Sequence, residues 1–338
     1  MAKPVKIGVI GLGWPGNEHL KGYAAVPNAT VVALCDLKAD LLAQKAAEFG
    51  VKRTFVNYRQ MLRQADIDAI DVCLPNDLHA RVTVAALQAG KHVLCEKPPA
   101  RNSREAQKMA DQAQKSGKTL MYAVCLRFAS SAQYVKAHIQ AGDFGDVYWG
   151  RTVYHRRRGI PAGSDGWFTL KARSGGGALI DIGVHALDCA WWLMGCPRPV
   201  AVSGAVYAKF AHTAPAGVKC NVEDSAFAMI KFANDATLIL ETSWALNQRG
   251  GSILQLGGTK GGVEMHPLTI FTERGGVMID STPQVPGNNI YADEIRHFVD
   301  CVQHHREPIA SAKQGVLLMK MLDAVYASQK SGKEVRIR

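Results

Sequence analysis

The chain has 338 residues, more than one hydrophobic core usually serves and enough for two. Hydrophobic residues make up 47% and charged residues 20%, which excludes a disordered, collagen-like or disulfide-stapled chain. Lys and Arg number 40 against 29 Asp and Glu, and the resulting charge of +11 favours an anionic partner without choosing between nucleic acid, a membrane surface and a small ligand.

From residue 6 to 125, short apolar runs alternate with segments of helical composition. The runs fall at 6–10, 30–35, 69–74, 92–95 and 119–125, and the helical segments include 38–49, 77–89 and 103–116. Short, continuously apolar runs suit a parallel sheet covered on both faces, and the alternation predicts an α/β domain with a doubly wound parallel (Rossmann) sheet over residues 1–125.

The first run leads into Gly11-Leu12-Gly13-Trp14-Pro15-Gly16 and then a helical segment. Placed between strand and helix, this GxGxxG pattern reads as a dinucleotide loop: the backbone turns tightly and approaches a pyrophosphate held by helix N-terminal amides. Pro15 is compatible with a first helical turn. Asp36 ends the next run, 20 residues beyond Gly16, where a carboxylate receives ribose hydroxyls. It favours NAD, because a 2′-phosphate would meet like charge. Leu37 adds no cation, whereas Lys38 could, which keeps NADP open.

After residue 125 the pattern changes. A helical stretch to about 141 is followed by alternation over 146–156 and by extended runs at 199–210, 222–232, 236–244 and 252–257. Helical patterns at 181–194, 293–303 and 312–331 and a short strand at 334–337 complete an α+β domain over 126–338, with a large, mostly antiparallel, open-faced sheet.

Three further segments carry a resemblance. Pro75-Asn76-Asp77-Leu78-His79 and Glu96-Lys97-Pro98 end two of the first-domain runs, and Ser174 to His185 joins a glycine cluster to Asp181-Ile182-Gly183-Val184-His185. With the glycine loop, these resemble the signatures of the Gfo/Idh/MocA family of nicotinamide-dependent sugar and polyol oxidoreductases, over nearly the whole chain. The resemblance implies catalytic roles for Lys97, Asp181 and His185. It implies cofactor contacts at Gly11, Gly13, Trp14, Pro15, Gly16, Asp36, Leu37, Pro75, Asn76, His79, Glu96 and Lys97. Gly175 to Gly177 would let the chain pass close to the nicotinamide, and the open sheet face would pack against another subunit as a homodimer or homotetramer. If the helix begins by Asp181, then Asp181 and His185, four apart, share one helical face.

The segment from Arg156 to Trp167 reads as a substrate loop. Tyr154, His155, Arg156, Arg158 and Trp167 are expected to contact a sugar, with Arg127 as a further contact, beside Lys97, Asp181 and His185. The substrate expected is a carbohydrate or cyclitol whose secondary alcohol gives hydride to NAD. The alternative is redox-neutral glycoside cleavage by transient oxidation, elimination and rehydration. No metal is expected, since neither cysteine spacing nor an HxxxH or HExxH pattern supports one. Nor is nucleic acid: no recognition helix or basic tail accompanies the charge. No apolar run is long enough to span a membrane, and eight scattered Cys without a CxxC pair suit reduced thiols in the cytoplasm.

Overall fold

A computed structural model describes residues 3–63, 66–161, 163 and 165–337. Two compact units emerge, each discontinuous in sequence. The first takes the described residues up to Ala100, Arg104–Phe128 and Asn288–Val316; the second takes Arg101–Ser103, Ala129–Gly287 and the described residues from Leu317 on.

Six parallel strands build the first unit: β1 (Val5–Ile10), β2 (Ala29–Cys35), β3 (Arg53–Phe55), β4 (Ala69–Val72), β5 (His92–Glu96) and β6 (Leu120–Ala123). Their order, β3-β2-β1-β4-β5-β6, reverses between β1 and β4. That reversal is the switch point at which doubly wound sheets bind ligands. Ile7 and Val9 of β1 are fully buried, as continuous apolar strands must be when both faces are covered. The helix Ile290–His304 packs Ile295, Phe298 and Val299 into the same core, a return of the chain that no local pattern announces.

The second unit holds a sheet of nine strands: β7 (Val147–His155), β8 (Pro199–Tyr207), β9 (Ser225–Phe232), β10 (Thr237–Ser243), β11 (Gly251–Gly258), β12 (Gly261–Met265), β13 (Thr269–Arg274), β14 (Val277–Ser281) and β15 (Val335–Arg336). Their order is β14-β13-β12-β11-β7-β10-β9-β8-β15, antiparallel except where β10 runs parallel to β7. Successive side chains on a strand face opposite ways, and β7 shows the consequence. Thr152 Oγ1 donates to Ala186 O of the helix Val184–Leu193 at 3.3 Å, and a Cβ at Gly150 would meet Met194 Sδ at 3.2 Å, so Gly150, Thr152 and Tyr154 face the helix. Trp149, Arg151 and His155 therefore lie on the other, open face. Phe271 of β13 shares it, paired through β12 and β11, and is exposed like Trp149. Among the described residues no helix is long and apolar enough to cross a membrane.

Candidate functional site

In the first unit the glycine loop leaves β1 at Gly11, whose φ of +92° belongs to the left-handed region and whose added Cβ would lie 2.2 Å from Cys73 O. Only glycine serves there. A Cβ at Gly16 would come within 2.0 Å of Gly11 O, so the helix Trp14–Ala24 can close on the turn only without a side chain. Gly13 is the opposite case, with nothing within 4 Å of an added Cβ. The helix has no side-chain cap and no acidic residue in its first turn, and Pro15 at its start sacrifices no intrahelical bond. Its first-turn amides and dipole suit a pyrophosphate approaching over Gly13.

Asp36 follows β2 with both oxygens fixed: Oδ2 accepts from Leu12 N at 2.8 Å and Oδ1 from Lys38 N at 2.9 Å. Each retains a lone pair for a ribose hydroxyl. Leu37 and Trp14 flank the loop, 84% and 68% exposed. Trp14 sets its ring edge-on to Tyr291 at 6.2 Å. These residues fit NAD: the turn is open where the dinucleotide must pass and closed where the helix must pack.

The helix Asn76–Gln88 starts after Pro75 with Asn76 buried in its first turn. His79 was expected in the nucleotide cleft. It is fully buried, with Nδ1 2.8 Å from Pro98 O and Nε2 2.7 Å from Leu74 O, and so ties the loop after β4 to the turn after β5 from behind. Burial holds its pKa below the ordinary value against the pull of these carbonyls. Glu96 closes β5; its Oε2 accepts from Lys97 N at 2.9 Å, and Lys97 is half-buried. Arg127, expected to contact substrate, is 1% exposed, and its guanidinium donates to Ile309 O and, at 2.7 Å, to Gln314 Oε1. A core cation held this way braces the turn Cys125–Phe128 rather than reaching a ligand.

In the second unit, Asp181 and His185 do not share a regular α-helix. Leu179–Gly183 forms a π-turn that passes into the α-helix Val184–Leu193, so Asp181 sits on the wide turn and His185 in the first α-turn. Such turns cluster at functional sites. Its entry is fixed from a distance: Glu223 Oε1 accepts from Gly177 N at 2.8 Å, Leu179 N at 3.1 Å and Tyr326 Oη at 2.9 Å. Burial raises the Glu223 pKa, only partly offset by these donors. Gly175 to Gly177 also have a packing reason to be glycine. Added Cβ atoms would strike Arg101 O, Tyr326 Oη and Glu223 O, the last at 1.8 Å, so protein fills that space. At the far end of the helix, Lys136 Nζ donates to Trp192 O at 2.7 Å, placing a cation where the helix dipole is negative.

Asp181 Oδ2 accepts from the indole nitrogen of Trp244 at 3.0 Å, and Trp244 is fully buried with Ile182, Ala178, Val222 and Ile160. Tyr154 packs on this cluster, whereas His155 lies across the sheet, 4.0 Å from Glu241 and against Phe227. The structure thus joins Tyr154, and not His155, to the surroundings of Asp181, as strand alternation requires. Arg156 lies over the Tyr154 ring at 5.8 Å, and Arg158 over Phe210 at 4.6 Å with Nη2 donating to Asn247 Oδ1 at 2.7 Å. Trp167 stacks on Phe168 at 3.9 Å. Ala162 and Ser164 of this loop lie outside the described residues. Sequence reasoning missed His19, Glu223 and Trp244, whose partners lie 52, 46 and 63 positions away in the chain.

A glycine loop built this way at the switch point of a parallel sheet holds the cofactor of a dinucleotide-dependent dehydrogenase, and the first unit is of that class. The chain belongs to the Gfo/Idh/MocA oxidoreductase family: residues 5–124 match the oxidoreductase family's NAD-binding Rossmann fold and residues 132–264 its C-terminal domain. It is an NAD(P)-dependent dehydrogenase acting on CH–OH groups. It is 33% identical to a D-glucoside 3-dehydrogenase of Escherichia coli over 99% of this chain and 98% of that one. Identity to a levoglucosan dehydrogenase of Pseudarthrobacter phenanthrenivorans is 29%, over 77% and 73%. A solved levoglucosan dehydrogenase in complex with NADH and L-sorbose shares the fold, with a TM-score of 0.90 at 24% identity over the full length of both chains.

Proposed function

We propose that this enzyme oxidises a secondary alcohol of a sugar, glycoside or cyclitol, with His185 taking the hydroxyl proton and Lys97 stabilising the charge that develops on the oxygen. The observation that carries the reading is the likeness to a glucoside dehydrogenase over nearly the whole of both chains. Bound NAD supplies the hydride acceptor. The protein supplies the rest: hydride leaves a carbinol more readily as its proton departs, and imidazole is a base suited to that transfer near neutral pH. An ammonium steadies the incipient alkoxide. Asp181, fixed by Trp244, orients the hydroxyl or the imidazole.

Tyr154, Arg156, Arg158 and Trp167 are the proposed sugar contacts, since their stacked rings and guanidinium groups offer flat apolar faces beside hydrogen-bond donors. Two copies or four associate through the open sheet face, where Trp149 and Phe271 are exposed. None of the eight cysteines is in a disulfide and six are buried, in keeping with a cytoplasmic enzyme.

A panel of methyl glucosides, levoglucosan and myo-inositol, followed by NADH absorbance, tests the reading. Turnover should appear with at least one class and fall by about 10²- to 10⁴-fold in Lys97→Ala and His185→Ala. Product without net NADH would replace it by redox-neutral glycoside cleavage.

A further inference from the structure

Asp71 lies inside β4, fully buried and paired on either side with Val9 and Leu94. A carboxylate in such surroundings persists only with a partner. Its partner is His19, on the helix that follows the glycine loop: Nδ1 is 2.8 Å from Asp71 Oδ2. On the other side of the fully buried ring, Nε2 is 3.3 Å from Glu96 Oε1. Nδ1 is hydrogen-bonded to Asp71, Nε2 meets Glu96 at ion-pair distance without hydrogen-bond alignment, and an imidazole between two carboxylates is favoured as imidazolium. Burial by itself would lower the His19 pKa, but Asp71 outweighs it and holds the group well above its ordinary value. Burial would likewise raise Glu96, and His19 reverses that. Cys73, whose Sγ is 3.3 Å from Asp71 Oδ1, Tyr23 and Tyr291 complete the surroundings.

The chain of contacts does not end at Glu96. While one of its oxygens faces His19, the other accepts from Lys97 N at 2.9 Å. We propose that His19 is a positioning residue for Lys97: its imidazolium, anchored on Asp71, fixes the Glu96 carboxylate and through it the backbone from which the Lys97 side chain springs. The role rests on the reading of Lys97 given under Proposed function. An error of about 1 Å in the placement of a catalytic group costs on the order of a hundredfold in rate.

The first test needs no variant. In ¹⁵N NMR of the full-length protein, His19 should remain doubly protonated at about pH 8, where an ordinary imidazole is neutral. A neutral ring there overturns the proposal. So would a stoichiometric zinc ion lost on His19→Asn, because His19, Asp71 and Cys73 place donor atoms within 4.8 Å and the ring would then be a ligand. The second test is a cycle of His19→Asn, Glu96→Gln and the double variant, with kcat expressed per folded molecule. Each single change should lower kcat about ten- to a hundredfold. In His19→Asn the KM for NAD should move less than about threefold, and the double variant should be no slower than either single, as for residues acting in series. Unchanged kcat in the folded single variants, or losses that multiply, overturns the role. If His19→Asn does not fold, Glu96→Gln carries the test, since it leaves the pair of His19 with Asp71 in place. Lys97→Ala separates the two readings. An inactive Lys97→Ala beside a fully active His19→Asn sinks the positioning role alone, whereas full activity in Lys97→Ala removes the reading of Lys97 itself.

Discussion

The indole of Trp244 donates to Asp181 Oδ2 at 3.0 Å across 63 positions of chain, and it is the only part of that fully buried side chain able to donate. Trp244→Phe keeps a ring in the core and removes the donor. Stability should fall by about 1 kcal/mol for the hydrogen bond lost, or roughly 2–4 °C in Tm. The kcat should fall about tenfold, more than KM changes, if the bond orients Asp181 in the transition state. Calorimetry and steady-state kinetics check both.

Asp36 spends one lone pair of each oxygen on backbone amides and offers the others to ribose. Asp36→Ala should weaken NAD binding by about tenfold or more through lost hydrogen bonds to a charged group. It should also narrow the preference for NAD over NADP by removing like-charge repulsion. Titration of the tryptophan fluorescence of the protein with each dinucleotide measures this. An unaltered ratio of the two affinities would contradict the role given to Asp36.

The Glu223 carboxyl gives stability a pH dependence of definite sign. Burial raises its folded pKa above the reference of 4.5, so the folded state binds more protons than the unfolded one as pH climbs from 4.5 through the folded pKa. The stability it contributes is complete below that window and is lost across it. Glu223→Gln keeps an oxygen for Gly177 N, Leu179 N and Tyr326 Oη, all of which donate to one oxygen in the wild type. The Tm of the variant should therefore gain on that of the wild type as pH rises. A gap independent of pH would show the carboxyl to be ionised at no cost.

On the open sheet face, Trp149 and Phe271 line a cavity of about 440 Å³ with Gln255, Glu264 and Met278. Replacing Trp149 and Phe271 together by Glu should drive the proposed assembly to monomers, because each change buries a charge at an apolar contact. Analytical ultracentrifugation reads the outcome, and a monomeric wild type would end the proposal.

Long apolar runs and short-range punctuation made much of the architecture legible from sequence. The glycine loop, the continuous strands β1 and β2 and the helix Ala312–Ser331 all announce themselves locally. β3 does not, because Arg53-Thr54-Phe55 is three residues long and largely exposed. The strands β12 to β14 were hidden too: each is only five or six residues long, β12 opens on two glycines, and β14 is almost wholly exposed. In the site the same divide holds. Asp36 could be placed by counting from Gly16, but the π-turn at Asp181 depends on Glu223 and Trp244, and the place of His19 depends on Asp71 and Glu96. A helical histidine with polar neighbours in sequence gives no sign that two carboxylates await it from other strands. Arg127 and His155 mislead in the opposite direction, since charge and nearness to a motif say nothing about which side of a strand or turn a residue takes.

Ile295, Phe298 and Val299 lie more than 160 positions beyond Phe128 yet belong to the core begun by Val5, Ile7 and Val9. On the ribosome this reverses the expected order. The Rossmann sheet emerges first but lacks one wall until the helix Ile290–His304 has been made, by which time the nine-stranded sheet is nearly all synthesised. A nascent or truncated chain ending near Phe128 would present that unfilled apolar surface to chaperones, so the part of the enzyme translated first is among the last to become a finished fold.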